Sequence, residues 1–324
     1  MKKSFINNVG FLIVVVLFFT ACKTDNRLEN EISKIDMSVN VERFDVDFAH
    51  ATPQDLPKLK TRYPFLFSKQ IPDSIWINRL QDTLQKELSS EVEQEFQSFG
   101  DIHDDLVSLF QHLKYYDKTF KAPRVITVTS DVDYRNKTIV TDTIVLISLD
   151  TYLGADHRFY DGIPRFISQD MKRSQIVCDL AAAYSENYIY QEKPKTLLDD
   201  MIYYGKELYF KDQMIPFKSD AEKIGYTEQQ LEWAEENESQ IWRYFIEREL
   251  LFSTDNSLAS RFIADAPFSK FYLELDSESP GRIGQFIGWQ IVRSYMKHND
   301  VDFRDMLHKN AEEIFNKSKF KPRK

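Results

Sequence analysis

Glycine is scarce, with 9 among 324 residues, well below the roughly 7% of average usage. That disfavours propellers, glycine-rich repeats and phosphate loops cradled by glycine. Cysteine is scarcer still: Cys22 and Cys178 are the only two, too few for a disulfide framework or a multi-thiolate metal site. The six histidines stand at positions 50, 103, 112, 157, 298 and 308. No two are four apart, so no helical His pair can take zinc. There is no G-x-S-x-G, no Walker sequence and no dinucleotide fingerprint, so no cofactor is expected. Basic residues are in deficit, 42 against 51 acidic, for a formal net charge of −9. An acidic chain with pI near 5.3 is not expected to partner nucleic acid.

Aromatic residues, by contrast, are plentiful: 14% of the chain, including 25 Phe and 16 Tyr. Global disorder does not fit such a composition, and 324 residues suffice for a large core without metal or disulfide staples.

A single long apolar run lies at the start. Lys2 and Lys3 precede Val9–Phe19, an 11-residue run broken only by Gly10, followed by Thr20, Ala21 and Cys22. A spanning helix needs about 20 apolar residues, so residues 1–21 read as a signal peptide rather than an anchor. Phe18-Phe19-Thr20-Ala21-Cys22 resembles a bacterial lipobox, with Phe19 where Leu is usual. The resemblance implies that Cys22 is lipidated and becomes the first mature residue. Acyl chains contribute about 0.8 kcal/mol per buried methylene, and several together anchor firmly. Residues 22–33 then read as the lipidated Cys and a polar tether, and 34–324 as a single helix-rich α+β body. The expected localisation is the cell envelope, with the body outside the cytoplasm in the periplasm and the membrane reached through Cys22. The choice between inner and outer membrane stays open.

Within the body, the loose alternation from Val39 to Phe48 predicts a short strand. Asp55–Asp117 is helical in pattern, with interruptions at Pro64 and Pro72. Arg124–Thr129 and Thr143–Leu149 are β-branched runs that read as an antiparallel hairpin, with Thr138–Val140 lengthening the second arm. Helices are expected over Lys172–Tyr190, over Thr196–Lys211, from a Thr227/Gln230 capping box onward, and from Ser279-Pro280 onward. Gly284 and Gly288, four apart, would let a second helix approach closely. The basic tail, Lys317–Lys324, is expected to fray. The fold class is thus α+β, predominantly helical, with a small antiparallel sheet.

The order of sheet, helix and second helix resembles that of zincin metallopeptidases. There, one helix carries H-E-x-x-H and the next supplies a third ligand. In Ile176–Ala182, Cys178 and Ala182 stand where the two His would be and Asp179 where the Glu would be. Glu207 takes the place of the third ligand. The resemblance therefore implies at most a degenerate scaffold without the zinc ligands. Paired carboxylates at Asp104-Asp105, Asp199-Asp200 and Glu235-Glu236 read as solvated helix faces.

Several blocks point to a family. They are Tyr203-Tyr204-Gly205-Lys206-Glu207-Leu208-Tyr209-Phe210; Gly225-Tyr226-Thr227 with Trp233, Asn237-Glu238 and Ile241-Trp242; Ala266-Pro267-Phe268-Ser269-Lys270-Phe271; Ser279-Pro280-Gly281-Arg282-Ile283-Gly284; and Gly288-Trp289-Gln290-Ile291-Val292 with Tyr295-Met296. With the lipobox, they resemble the gliding-motility lipoprotein GldB family. The resemblance implies a membrane-anchored component of gliding motility and the associated type IX secretion machinery, and with the catalytic motifs missing it is read as non-enzymatic. It carries no catalytic residues and no cofactor. A protein partner or a wall glycan would dock on exposed aromatics, for which Trp76, Trp233, Trp242, Trp289 and Tyr203-Tyr204 are candidates. Glu238, on the apolar stripe of its helix, is expected to pair with Arg282 or Arg293 as a partner-binding or structural cluster. The alternative is a degenerate or atypical periplasmic hydrolase working through Asp179, Glu207 and Glu238.

Overall fold

The computed structural model describes residues 27–190, 195–273 and 276–323. The expected signal peptide, residues 1–21, and Cys22 lie outside them. The elements in order are β1 (Val41–Arg43), α1 (Phe44–Ala49), α2 (Leu56–Arg62), α3 (Asp73–Gln81), α4 (Thr83–Glu95), α5 (Gly100–Tyr116), β2 (Arg124–Val128), β3 (Thr138–Val140), β4 (Ile144–Ser148), α6 (Arg165–Ser168), α7 (Ile176–Ser185), α8 (Leu197–Met214), α9 (Asp220–Ile224), α10 (Glu228–Glu236), α11 (Glu238–Glu247), α12 (Ser257–Phe262), α13 (Ile283–His298), α14 (Phe303–Leu307) and α15 (Ala311–Ser318). The class is α+β and predominantly helical. Among the described residues, no helix is long and apolar enough to cross a membrane.

The sheet is mixed rather than antiparallel. Its order is β1-β2-β4-β3. β2 pairs with β4 in parallel, Val125 opposite Val145, and only β3 runs antiparallel, on the edge beside β4. The two β-branched runs are therefore not the arms of a hairpin. The segment between them carries the chain past β4, lays down β3 and returns. The reason is burial on both faces: Val125 joins the main core and Ile126 a second core. A strand covered on both faces reads as a continuous apolar run, the usual mark of parallel pairing.

The second core is small. Phe48, Leu56, Leu59, Tyr63, Phe67 and Leu80 from the first helices close one face of the sheet. The other face meets the main helical core, where α8 and α13 make the most extensive helix contact. The glycines explain that contact. A Cβ built on Gly288 would lie 1.8 Å from the Met201 carbonyl oxygen, and one on Gly205 would lie 2.4 Å from Gly288. Two backbones meet with nothing between them. The close helix approach expected at Gly284 and Gly288 is thus realised, by Gly288 against α8 and Gly284 against Phe262.

Several boundaries differ from expectation. α7 is shorter than Lys172–Tyr190, because a 3₁₀ turn at Arg173–Gln175 precedes it. The helix begun by the Thr227/Gln230 box is divided at Asn237 into α10 and α11. α13 begins at Ile283, after Arg282 in the left-handed region (φ 58°), not at Ser279-Pro280. Ser279 instead pins a loop, its hydroxyl donating to the Ser269 carbonyl and accepting from the Ser269 N–H. At the N-terminal side, residues 27–32, expected within a polar tether, are helical; Ile32 is buried, and Glu29 reaches His112. The tail is not frayed either. Phe320 packs edge-on against Trp242 and the Arg323 N–H donates to Glu238.

Candidate functional site

α7 is the centre of the sequence-derived site. Ile176, Val177, Leu180 and Ala181 bury its core face, which fixes the rotation of the helix and the direction of Asp179. Asp179 turns toward the sheet edge. There Lys137, just before β3, sets its Nζ 2.6 Å from the Asp179 carboxylate. The Tyr152 hydroxyl donates to the same carboxylate at 2.8 Å. Tyr152 is itself fully buried, and burial holds its hydroxyl well above the ordinary range.

A second carboxylate adjoins this one. Asp170 lies over Gly225, whose left-handed backbone (φ 70°) ends α9 without a side chain in the way. Burial pushes the Asp170 carboxyl up to about 6, against the opposing pull of Arg282 and Lys137. Arg282 stands 3.5 Å from Asp170 and 3.4 Å from Asp265, donates to the Gly225 carbonyl, and covers the Tyr226 ring. On α8, Glu207 pairs with Lys211 one turn on, at 3.3 Å. The result is a polar seam between the sheet edge, α7 and α8 in which each carboxylate faces a cation from the same chain.

The zincin-like positions do not assemble a metal centre. The Cys178 thiol is buried beneath α7, and burial pushes it up to about 12. A thiol held protonated is a poor metal ligand. Ala182 has no donor atom. Among the described residues, no three His, Cys, Asp or Glu side chains converge as a metal set. Lys137, Tyr152 and Asp170 were missed by sequence reasoning. Lys137 and Asp170 lie in irregular segments with no period to mark them.

The matching family model is that of the gliding motility protein GldB, and it spans residues 25–322. The chain belongs to the GldB family. No curated protein and no solved structure matches. GldB is a gliding motility lipoprotein, so the family places this chain among the lipoproteins of the cell envelope.

Within this GldB-family chain the expected partnership of Glu238 with Arg282 or Arg293 is not formed. Glu238, 2% exposed, meets Arg323 of the tail: the backbone N–H at 3.1 Å and the guanidinium at 3.7 Å. Burial raises its carboxyl above the usual range. Arg282 belongs to the seam at Asp170. Arg293 forks onto two other acids, Asp212 at 2.7 Å and Asp220 at 2.6 Å, and lies over the Trp289 ring. Asp212 also accepts from the Trp289 indole N–H and from Lys223, so this network ties α8, α9 and α13 together. Of the proposed aromatic anchors, Trp289 is wholly buried, while Trp76, Trp233, Trp242, Tyr203 and Tyr204 are half-buried against the two cores. The exposed large apolar residues are others, including Tyr190, Phe252 and Tyr272.

Proposed function

We propose that this GldB-family protein is a non-enzymatic, lipid-anchored component of the gliding apparatus and its associated type IX secretion machinery. Cys22 carries the lipid, and the body works in the periplasm by contacting protein partners. One observation supports the non-enzymatic part most directly: the seam around α7 is already neutralised from within. Asp179 is held by Lys137 and Tyr152, Asp170 faces Arg282, and Glu207 faces Lys211. A hydrolytic carboxylate or metal ligand must be free to meet water or metal, and these are engaged.

Three measurements on the anchored protein test the reading. In-cell crosslinking followed by identification of the captured proteins should return components of the motility machinery. Metal analysis of the purified protein should find no stoichiometric zinc; zinc lost on Asp179→Ala or Glu207→Ala would overturn the non-enzymatic assignment. Metabolic lipid label should disappear in Cys22→Ala, and its retention would sink the anchor.

A further inference from the structure

A cavity lies away from the α7 seam. It has a volume of about 600 Å³ and opens between the start of α8 and the α14–α15 turn. That falls in the range of small-ligand sites, roughly 300–1,000 Å³. Its wall contains Lys206, which is 4% exposed. The Lys206 ammonium donates to the Leu307 carbonyl at 3.0 Å and the Lys309 carbonyl at 2.5 Å. An ammonium has three donors, and these are two. Among the described residues, no carboxylate lies within ion-pair distance of it. Burial alone pulls it down to about 8, with no opposing acid. A buried cation without a counter-charge is costly unless something neutralises it.

Two of the three acids in the same wall are otherwise engaged, and the third, Glu312, is exposed to solvent. Asp199 closes the α8 capping box, accepting from the N–H groups of Lys195 and Thr196 at 2.9 Å each. Glu313 takes Lys309 at 3.4 Å and Lys317 at 2.9 Å. Two helices begin on the cavity, α8 with 18 residues and α15 with 8. The first N–H groups of α8 are already bonded to the Ser253 and Leu251 carbonyls and to Thr196, so Lys206 is the donor left for an anion on that side. At the mouth stand Tyr190 and Phe252, 57% and 58% exposed. Exposed aromatics beside a buried ammonium suit a ligand that joins an apolar group to a negative one.

We propose that this cavity binds a carboxylate-bearing ligand, with Lys206 pairing the carboxylate and Tyr190 and Phe252 covering the adjoining apolar part. The carboxylate has two sources, the free end of a peptide or a small organic acid. Capture of a chain's terminal carboxylate is a recurrent mode of peptide recognition, and here the charge would come from Lys206. Nothing in the α7 seam or the motility assignment is required for this binding.

The test is isothermal titration of the full-length protein in detergent micelles, near neutral pH. The probes are acetyl-Ala-Ala-Phe as free acid, the same peptide as its amide, acetate, and inorganic phosphate. The free acid is expected to bind about tenfold or more tighter than the amide, the effect of one charge-assisted contact. Lys206→Met should abolish that preference. Phe252→Ala, at an exposed position, should weaken the peptide while leaving acetate unchanged. Acetate binding as tightly as the peptide acid would still support the site and name small acids as its ligands. Equal affinity for acid and amide would overturn the proposal, as would phosphate binding in preference to every carboxylate, or no binding by the folded wild-type protein. The acid–amide contrast is read on the unmodified protein, so it holds even where Lys206→Met does not fold.

Discussion

The Lys137 ammonium and the Asp179 carboxylate stand 2.6 Å apart, and the Tyr152 hydroxyl meets the same carboxylate oxygen. Both charged side chains are about three-quarters covered. The pair thus closes the sheet edge onto α7. Removing only the cation leaves a largely covered carboxylate with a single neutral donor. Lys137→Met is therefore expected to cost about 1–3 kcal/mol, read from the midpoint of urea unfolding. A change within about 0.5 kcal/mol, typical of an ordinary surface site, would count against a closing role.

Gly288 should be far less forgiving. Its Cβ would meet a backbone carbonyl at 1.8 Å, and backbone cannot swing aside as a side chain can. Gly288→Ala is expected to cost at least about 3 kcal/mol, or to prevent folding, by forcing α8 and α13 apart. Gly100→Ala is the control: nothing lies within 4 Å of its added Cβ, and thermal unfolding should shift little or rise.

Asp170 makes a pH prediction. Its carboxyl is raised from 3.8 to about 6, chiefly by burial. Between those values the folded state binds more protons than the unfolded one. Its contribution to stability is therefore full below about pH 4 and is lost as pH rises toward 6. Asp170→Asn removes that loss. The variant's stability should gain relative to wild type as pH climbs from about 4 to 6, with the difference flat above. Urea unfolding across that window checks the sign, and a difference that shrinks with rising pH would contradict it.

The tail is a clasp. Phe320 covers Trp242, and Arg323 is the only cation within 4.0 Å of the Glu238 carboxylate among the described residues. A chain ending at Lys319 uncovers an aromatic face and leaves Glu238 buried and unpaired. The expected loss is about 2 kcal/mol, with the half-exposed Arg323 side chain discounted for screening. Glu238→Gln in the same shortened chain should recover part of that loss, because it removes the buried charge. Thermal or urea unfolding of the three chains decides it.

Much of the fold was legible in periodicity. The helical class, the Thr227/Gln230 capping box and the small residues of α13 all follow from local rules, and the structure realises each. The misread features share one cause. A β-branched run declares a strand but not its neighbour's direction, and β2 and β4 became parallel because both faces of the sheet are covered. Ser279-Pro280 has the chemistry of a helix start, yet its hydroxyl is used across the loop by Ser269. The tail looked frayed because its lysines are all that a sequence shows; Glu238, 85 residues away, holds it.

The candidate site divides the same way. Lys206 was detectable in principle, four residues from Ile202 and four from Phe210 on the buried stripe of α8. Lys137 and Asp170 were not, since no local pattern marks a residue whose partner is distant.

The sequence alone determined the family, the helix-rich class and the absence of metal-ligand spacing, because each is written in residue type and short-range spacing. Only the tertiary structure decided the pairing of charges. Asp179 chose Lys137, Arg293 chose Asp212 and Asp220, and Glu238 chose the tail. An ion pair depends on which side chains arrive within a few ångströms and how much water they lose. Both are set by packing, not by position along the chain.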